Sequence, residues 1–473
     1  MRAWWREWEF NPMVVKELRQ AMHSWFVAGA ILLLLAVFFF VAMNVLLFVH
    51  PSGMRPNLGM ESLSAFMGFM SVVTLGFIPS YVGVRMAIER ASANAELMYI
   101  STLTPERIIR GKLISGVALL FLFYCACLPF MALCYLLRGV DVPTIFLLAG
   151  LLFLMNCVII QAAVFIAAFP AHWILKAILG AFFWFFLASF MLVGFGVFIF
   201  SGSRGSGFTF DSVEWPELLS QIGVGLLALG LMYFSAVALV SPHSYNRAMP
   251  LRIYCTAMWL LSGALAAGWS LHEKTIDFVF GWMVSTLIFA AITLLPICCS
   301  RDVLNPRLRK SIPKNYWLRT PHFLFSNGSL SGYLWLSLMV LATLAVTLFV
   351  EIDLANTGDE RQIIIASPTI YGYLLAYALT AQTLRRVFVP KANPKWAALF
   401  YLLQPLLLYM TMNIAVFMVH QGDVFDVFQP GNLFNYLATL KFTVQHGIAV
   451  SIWLLLLLGL NATEFYRMIN RRS

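Results

Sequence analysis

The 473 residues read as an all-α, polytopic membrane protein of about twelve spans, on three counts. First, 61% of residues are hydrophobic and only 11% charged, with a mean hydropathy of +0.83. A soluble fold of this size would need far more charge on its surface, and a disordered chain could not be so apolar. Second, the apolar residues fall in runs of about 20, the length a helix needs to cross a ~30 Å hydrocarbon core. Barrel strands would be half as long and would alternate. Third, the basic residues alternate from loop to loop as membrane topology requires.

The expected spans are 25–49, 63–84, 113–137, 144–169, 177–200, 218–240, 253–271, 278–300, 330–350, 362–384, 397–419 and 442–461, and none holds an Asp, Glu, Lys or Arg. With both termini in the cytoplasm, each outer loop keeps a single basic residue: Arg55, Arg138, Arg204, Lys274, Arg361 and Lys441. The rest of the 31 basic residues fall inside, so the formal charge of +10 anchors the chain to an anionic inner leaflet. Scattered over seven segments, it does not form a nucleic-acid face. No cleavable signal peptide is expected, because the first apolar run is too long and too far from the start. All seven cysteines lie within spans and read as small buried hydrophobes.

Ahead of the first span, Asn11-Pro12 marks a helix start, with Asn as cap and Pro at the first position. Val14, Leu18, Met22 and Trp25 recur near helical period, opposite Lys16, Arg19, Gln20 and His23. The pattern predicts an amphipathic helix in the membrane interface over 1–24, anchored by Trp4, Trp5 and Trp8. Residues 25–240 then form a six-span unit with a long inner loop at 85–112. Within that loop Arg85 to Ile100 lacks Gly and Pro and extends the second span as a helix. A break follows, and Thr104-Pro105-Glu106 opens the next helix with a cap, a Pro and an acid near the positive dipole end. The result is a rigid, mixed-charge knuckle suited to docking a soluble partner.

Residues 241–473 supply six further spans and a basic inner loop at 301–329, with Arg301, Arg307, Arg309, Lys310, Lys314 and Arg319. The long inner loops follow the second and eighth spans; the long outer loops, 201–217 and 421–441, follow the fifth and eleventh. A shift of six spans superimposes both, which suggests a six-plus-six pseudo-repeat. Six unrelated appended helices fit the sequence equally well. The 301–329 loop is either an anchor to the inner leaflet or a second docking element.

The segments NPMVVKELRQ and ERASANAELMYISTLTPERIIRGK together resemble the permease subunits of type-2 ATP-binding-cassette (ABC) transporters. The first is similar to that family's Asn-Pro-x-x-x-Lys-Glu-x-Arg start. The second carries Glu89-Arg90, Glu96-Leu97, Leu103-Thr104-Pro105, Ile108 and Gly111-Lys112 in the family's order, with departures at Ala91, Ala93 and Asn94. The layout corresponds over about the first 240 residues, and twelve spans depart from the usual six. The resemblance implies an elbow helix from Pro12 to about Ser24 and a coupling helix within the knuckle, seated on an ABC ATPase subunit. Its contact residues would be Lys16, Glu17 and Arg19 with Glu89, Arg90, Glu96, Thr104, Pro105, Glu106 and Arg107. ATP and magnesium would sit on that partner, with no cofactor or catalytic residue on this chain. Substrate would leave through the cytoplasmic (inner) membrane, in contact with membrane lipid, and one chain or two would complete the pore.

The residues agree that the chain has no visible engine. Gly111-Lys112 lacks the upstream Gly and following Ser or Thr of a phosphate loop. Nothing acidic or basic in the spans serves ion coupling. Asn44, Asn156, Gln161, Gln382, Gln404 and Asn413 are better suited to bonds between helices. Enzyme patterns are incomplete. His272-Glu273 lacks a second His at position 276, Gly328-Ser329-Leu330-Ser331-Gly332 misplaces its serines, and Glu61 and Asp141 stand alone. An assembly protein without transport, an ion-coupled carrier and an intramembrane enzyme remain as alternative readings.

Overall fold

The computed structural model describes residues 11–48, 58–91, 104–137, 140–169, 176–183, 185, 215–242, 245–300, 315, 321–354, 360–388, 396–420, 427–440 and 443–470. These residues are helical or in turns, with no strand among them. Eleven of their helices are long and apolar enough to cross a membrane. Helices suit that solvent because each closes its own backbone hydrogen bonds. Most of the expected fifth span, 177–200, lies outside the described residues, as do Trp4, Trp5, Trp8, Glu96 and the basic residues of 301–314.

The chain divides into two compact units, Met1–Pro242 and His243–Ser473. In the first, α1 (Pro12–Met22) is followed by the spans α2 (Trp25–Phe48), α3 (Leu58–Ala91), α4 (Pro105–Leu136), α5 (Val142–Ala168) and α6 (Trp215–Val240). Helix α3 packs on α2, α4 and α5; α4 also meets α2 and α5, and α5 carries α6. The core gathers Phe38, Phe66, Met70, Ile78, Phe123 and Val164, all fully shielded. At Gly116 a Cβ would come within 2.9 Å of Ile160, so α4 and α5 approach closely only because that residue is Gly.

Both expected helix starts are present. Asn11 caps α1 by accepting from the Met13 amide, with Pro12 at the first position. Thr104 caps α4 by accepting from the Arg107 amide, with Pro105 and Glu106 in the first turn. The buried stripe of α1 differs from the expected one. It runs along Met13, Val14, Glu17 and Ala21, while Met22 and Trp25 are exposed. Val14 belongs to both stripes, and the buried one is turned toward α4.

In the second unit the helices are α7 (Ala248–Glu273), α8 (Asp277–Cys298), α9 (Ser329–Leu354), α10 (Glu360–Phe388), α11 (Trp396–His420), the short α12 (Leu433–Thr439) and α13 (Thr443–Asn470). Here α8 packs on α7, α9, α10 and α11; α9 meets α7 and α10, and α10 carries α11 and α13. Helix α12 lies in the expected outer loop 421–441. Asn432 caps it by accepting from the Asn435 amide, and Leu440 ends it in the left-handed region at φ 49°.

Candidate functional site

The two segments that carry the family resemblance meet at one junction. Asn11 closes it at the N-terminal edge of α1: its Oδ1 caps the helix, and its Nδ2 donates to the carbonyl of Arg107 in the first turn of α4 at 2.6 Å. Gly111 makes room for this contact. A Cβ there would lie 2.9 Å from Met13 Cβ and 3.1 Å from Asn11 Nδ2. The next residue, Lys112, is buried, with its side chain 2% exposed. Its ammonium lies 2.9 Å from Glu17 Oε1 on α1 and 2.7 Å from Glu89 Oε2 at the end of α3.

A ring of charge surrounds that lysine. Lys16 pairs with Glu89 Oε1 at 2.9 Å. Arg85 Nε lies 3.7 Å from Glu17 Oε2, and its guanidinium donates to Gln20 and, at 2.7 Å, to the Tyr81 hydroxyl. Three helices are thereby held by two carboxylates and three cations. A buried ammonium is tolerable only when fully paired, so the arrangement enforces one geometry.

The expected contact residues do not share one environment. Lys16, Glu17 and Glu89 belong to the ion network, and Glu17 is buried within it. Arg90 turns inward and donates to the carbonyls of Ala168 and Leu239, the last turns of α5 and α6. That suits a cation at negative helix ends. Arg19, Thr104, Glu106 and Arg107 face outward, Pro105 is buried, and Glu96 lies outside the described residues. Lys112, Arg85 and Gln20 are the members that the sequence reading left out of the site. Lys112 did carry a signal: it stands three and four residues after the buried Ile109 and Ile108, on the same helix face.

A comparable junction orders the second unit. Arg252, in the second turn of α7, is buried and donates from Nη1 to the carbonyls of Leu324 and Ser326, each at 2.8 Å, and to Ser331 Oγ at 3.1 Å. Its Nη2 reaches the Gly328 carbonyl at 3.3 Å. Asn327 adds bonds to the Ala248 amide and the Tyr245 carbonyl. The serines of the Gly328–Gly332 motif are thus structural: Ser331 donates to the Ser326 carbonyl, and Ser329 accepts from Gln382. His272 and Glu273 are exposed at a helix end.

Near the far end of this unit His446 corrects the expectation that the spans lack an ionisable group. It is fully buried in the first turn of α13, within a candidate span. The Tyr373 hydroxyl accepts from the Gly431 amide at 3.3 Å and lies 2.6 Å from His446 Nδ1. Tyr377 donates to the Gly431 carbonyl at 2.6 Å and accepts from the Leu433 amide at 3.2 Å, which latches the segment before α12 to α10.

Among the described residues no group of three His, Cys, Asp or Glu side chains could hold a metal ion. The seven cysteines are free thiols. Fold and junctions define an all-α, multi-pass membrane protein whose two compact units each pin the start of their third long helix with residues ahead of or within the first turns of the first. No known protein family, curated protein or solved structure matches the chain.

Proposed function

We propose that this chain is the permease component of an ATP-driven ABC exporter in the cytoplasmic membrane, powered by separate ATPase subunits. The observation that supports it is the junction around Lys112. Two stretches about 70 residues apart in sequence, chosen only by their family-like motifs, converge there through Asn11, Glu17, Glu89, Gly111 and Lys112. A push on the outer face of the knuckle, where Glu106, Arg107 and Arg110 are exposed, passes straight into α1, α3 and α4. A junction that yielded would dissipate such a push; a paired buried lysine resists it.

The second unit extends the reading. Under the match of α2, α3, α4, α5 and α6 to α7, α8, α9, α10 and α13, the packing of the second helix on the first, third and fourth recurs. So do the packing of the third on the first and fourth, and of the fourth on the last. This supports a six-plus-six repeat, with one chain supplying both six-span units and the 301–329 loop as the second ATPase contact.

The test uses the full chain in nanodiscs with the ABC ATPase that co-purifies with it. Glu106→Lys combined with Arg107→Glu should abolish stimulation of ATP hydrolysis and leave membrane insertion intact. Unaltered ATPase binding and substrate efflux in that variant would overturn the docking assignment.

A second reading, an ion-coupled carrier, is favoured by one observation: the buried His446 in α13. Transport that follows a proton gradient without ATP, and that is lost in His446→Gln, would decide for it.

A further inference from the structure

Where α1 gives way to α2, an open cleft of about 500 Å³ lies between α1, with the turn that follows it, and α3. Arg19, Gln20, His23 and Ser24 line one side, and Tyr81 and Arg85 the other. Its size falls within the range of small-molecule sites. Among the described residues the charge around it is unbalanced. Glu17 and Glu89 are shared by Lys16, Arg85 and Lys112, which leaves one positive charge over. Arg19 adds another, with no ion-pair partner among the described residues. The cleft is therefore a surplus-cation site rich in hydrogen-bond donors: two guanidinium groups, an imidazole, a side-chain amide and two hydroxyls. Guanidinium forks match phosphate oxygens in geometry and charge.

What lies beside the cleft selects among phosphates. Trp25 and Phe26, the next two residues, are 90% and 77% exposed, and Met22 on the preceding turn is 67% exposed. Trp25 and Phe26 begin α2, a span whose one strongly polar side chain is Asn44. The cleft thus stands at the boundary where the chain passes from interfacial helix to hydrocarbon. A water-borne anion gains nothing from that apolar rim, whereas a lipid phosphate arrives with acyl chains that cover it.

We propose that this cleft binds the phosphodiester headgroup of an anionic glycerophospholipid, with Arg19, His23 and Arg85 on the phosphate and acyl chains along Trp25 and Phe26. The lipid would brace the elbow at the end that leads into α2.

Native mass spectrometry of the full-length protein tests this, after extraction from nanodiscs of phosphatidylcholine and phosphatidylglycerol in equal parts. The unaltered chain should retain one more phosphatidylglycerol than the Arg19→Gln/His23→Gln variant, and titration should show about tenfold weaker binding in the variant. Arg19→Glu, a single change on an exposed side chain, provides the same readout if the double variant misfolds. Arg110→Gln, on the exposed face of α4, should leave retention unchanged. Equal retention by all variants would overturn the site. An equal loss in Arg110→Gln would reduce it to general surface attraction, and displacement of the lipid by glycerol phosphate at matched concentration would make it a free-anion site.

Discussion

Replacing Lys112 by Met should loosen α1 without disturbing the spans. At an effective dielectric of about 20, the contacts with Glu17 at 2.9 Å and Glu89 at 2.7 Å are each worth about 6 kcal/mol before solvation is counted. Desolvating a buried ammonium and two carboxylates cancels most of that. Removing the lysine alone leaves the cost without the gain, typically about 3–5 kcal/mol. Lys16 still serves Glu89, and Arg85 lies 3.7 Å from Glu17, so the lower end applies. About 3 kcal/mol corresponds to roughly a hundredfold rise in the opening of α1. Hydrogen exchange of the amides from Val14 to Met22 measures it directly. The triple variant Glu17→Gln/Glu89→Gln/Lys112→Met removes the stranded charges with the lysine and should recover most of the protection. Exchange in Lys112→Met within threefold of the unaltered protein would refute the reasoning. So would a triple variant as open as the single one, because stranded charge would then not be the cause.

Gly111→Val should push α1 off α4, since a Cβ already meets Met13 Cβ at 2.9 Å; overpacking of this kind costs about 1–3 kcal/mol and would show as faster proteolysis near residue 11. Arg252→Leu strands the carbonyl of Leu324 and takes a charged donor from Ser326, Gly328 and Ser331, and should destabilise the second unit by about 3 kcal/mol, read as a fall in melting temperature of roughly 6 °C. Tyr377→Phe deletes two bonds to the segment before α12 at a cost of about 1–2 kcal/mol, and should speed protease cleavage between residues 427 and 440 about tenfold.

The features legible in the sequence are those that local chemistry determines. Apolar runs locate the spans because the bilayer requires length, and caps locate Pro12 and Pro105 because a first turn needs its amides satisfied. The hidden features depend on partners far along the chain. Lys112 reads as a surface lysine until Glu17 and Glu89, 95 and 23 residues away, are brought to it. Arg252 marks the expected inner edge of a span at 253, yet the helix starts at Ala248 and takes the arginine inside, because the carbonyls of 324–328 satisfy it. Glu351 is buried for the same reason, with Arg361 at 3.3 Å. His446 needs Tyr373 to be tolerable in a span, and nothing near it in sequence announces that tyrosine.

The two junctions bear on why the units pair their helices alike without sharing a motif. In each, the third long helix begins after a long loop, and a start defined only by its own cap would be free to swing. Each unit restrains that start with polar groups lying ahead of or within the first turns of its first long helix: Asn11 and Glu17 hold α4, and Arg252 in the second turn of α7, with the bonds of Asn327 to Ala248 and Tyr245, holds α9. The chemistry differs completely, an ion network against a guanidinium on carbonyls. The two junctions therefore share a mechanical role and not a set of side chains. A second helix packed on the first, third and fourth fixes their tilt but not their axial position, and a directional bond at the loop end fixes that last degree of freedom. If this is right, Lys112→Met and Arg252→Leu should each raise hydrogen exchange at the start of the following helix, α4 and α9 respectively, and leave the interior amides of α3 and α8 unchanged. Exchange that rises throughout α3 or α8 would mean that the junctions hold the whole bundle together, and the division of labour argued here would fail.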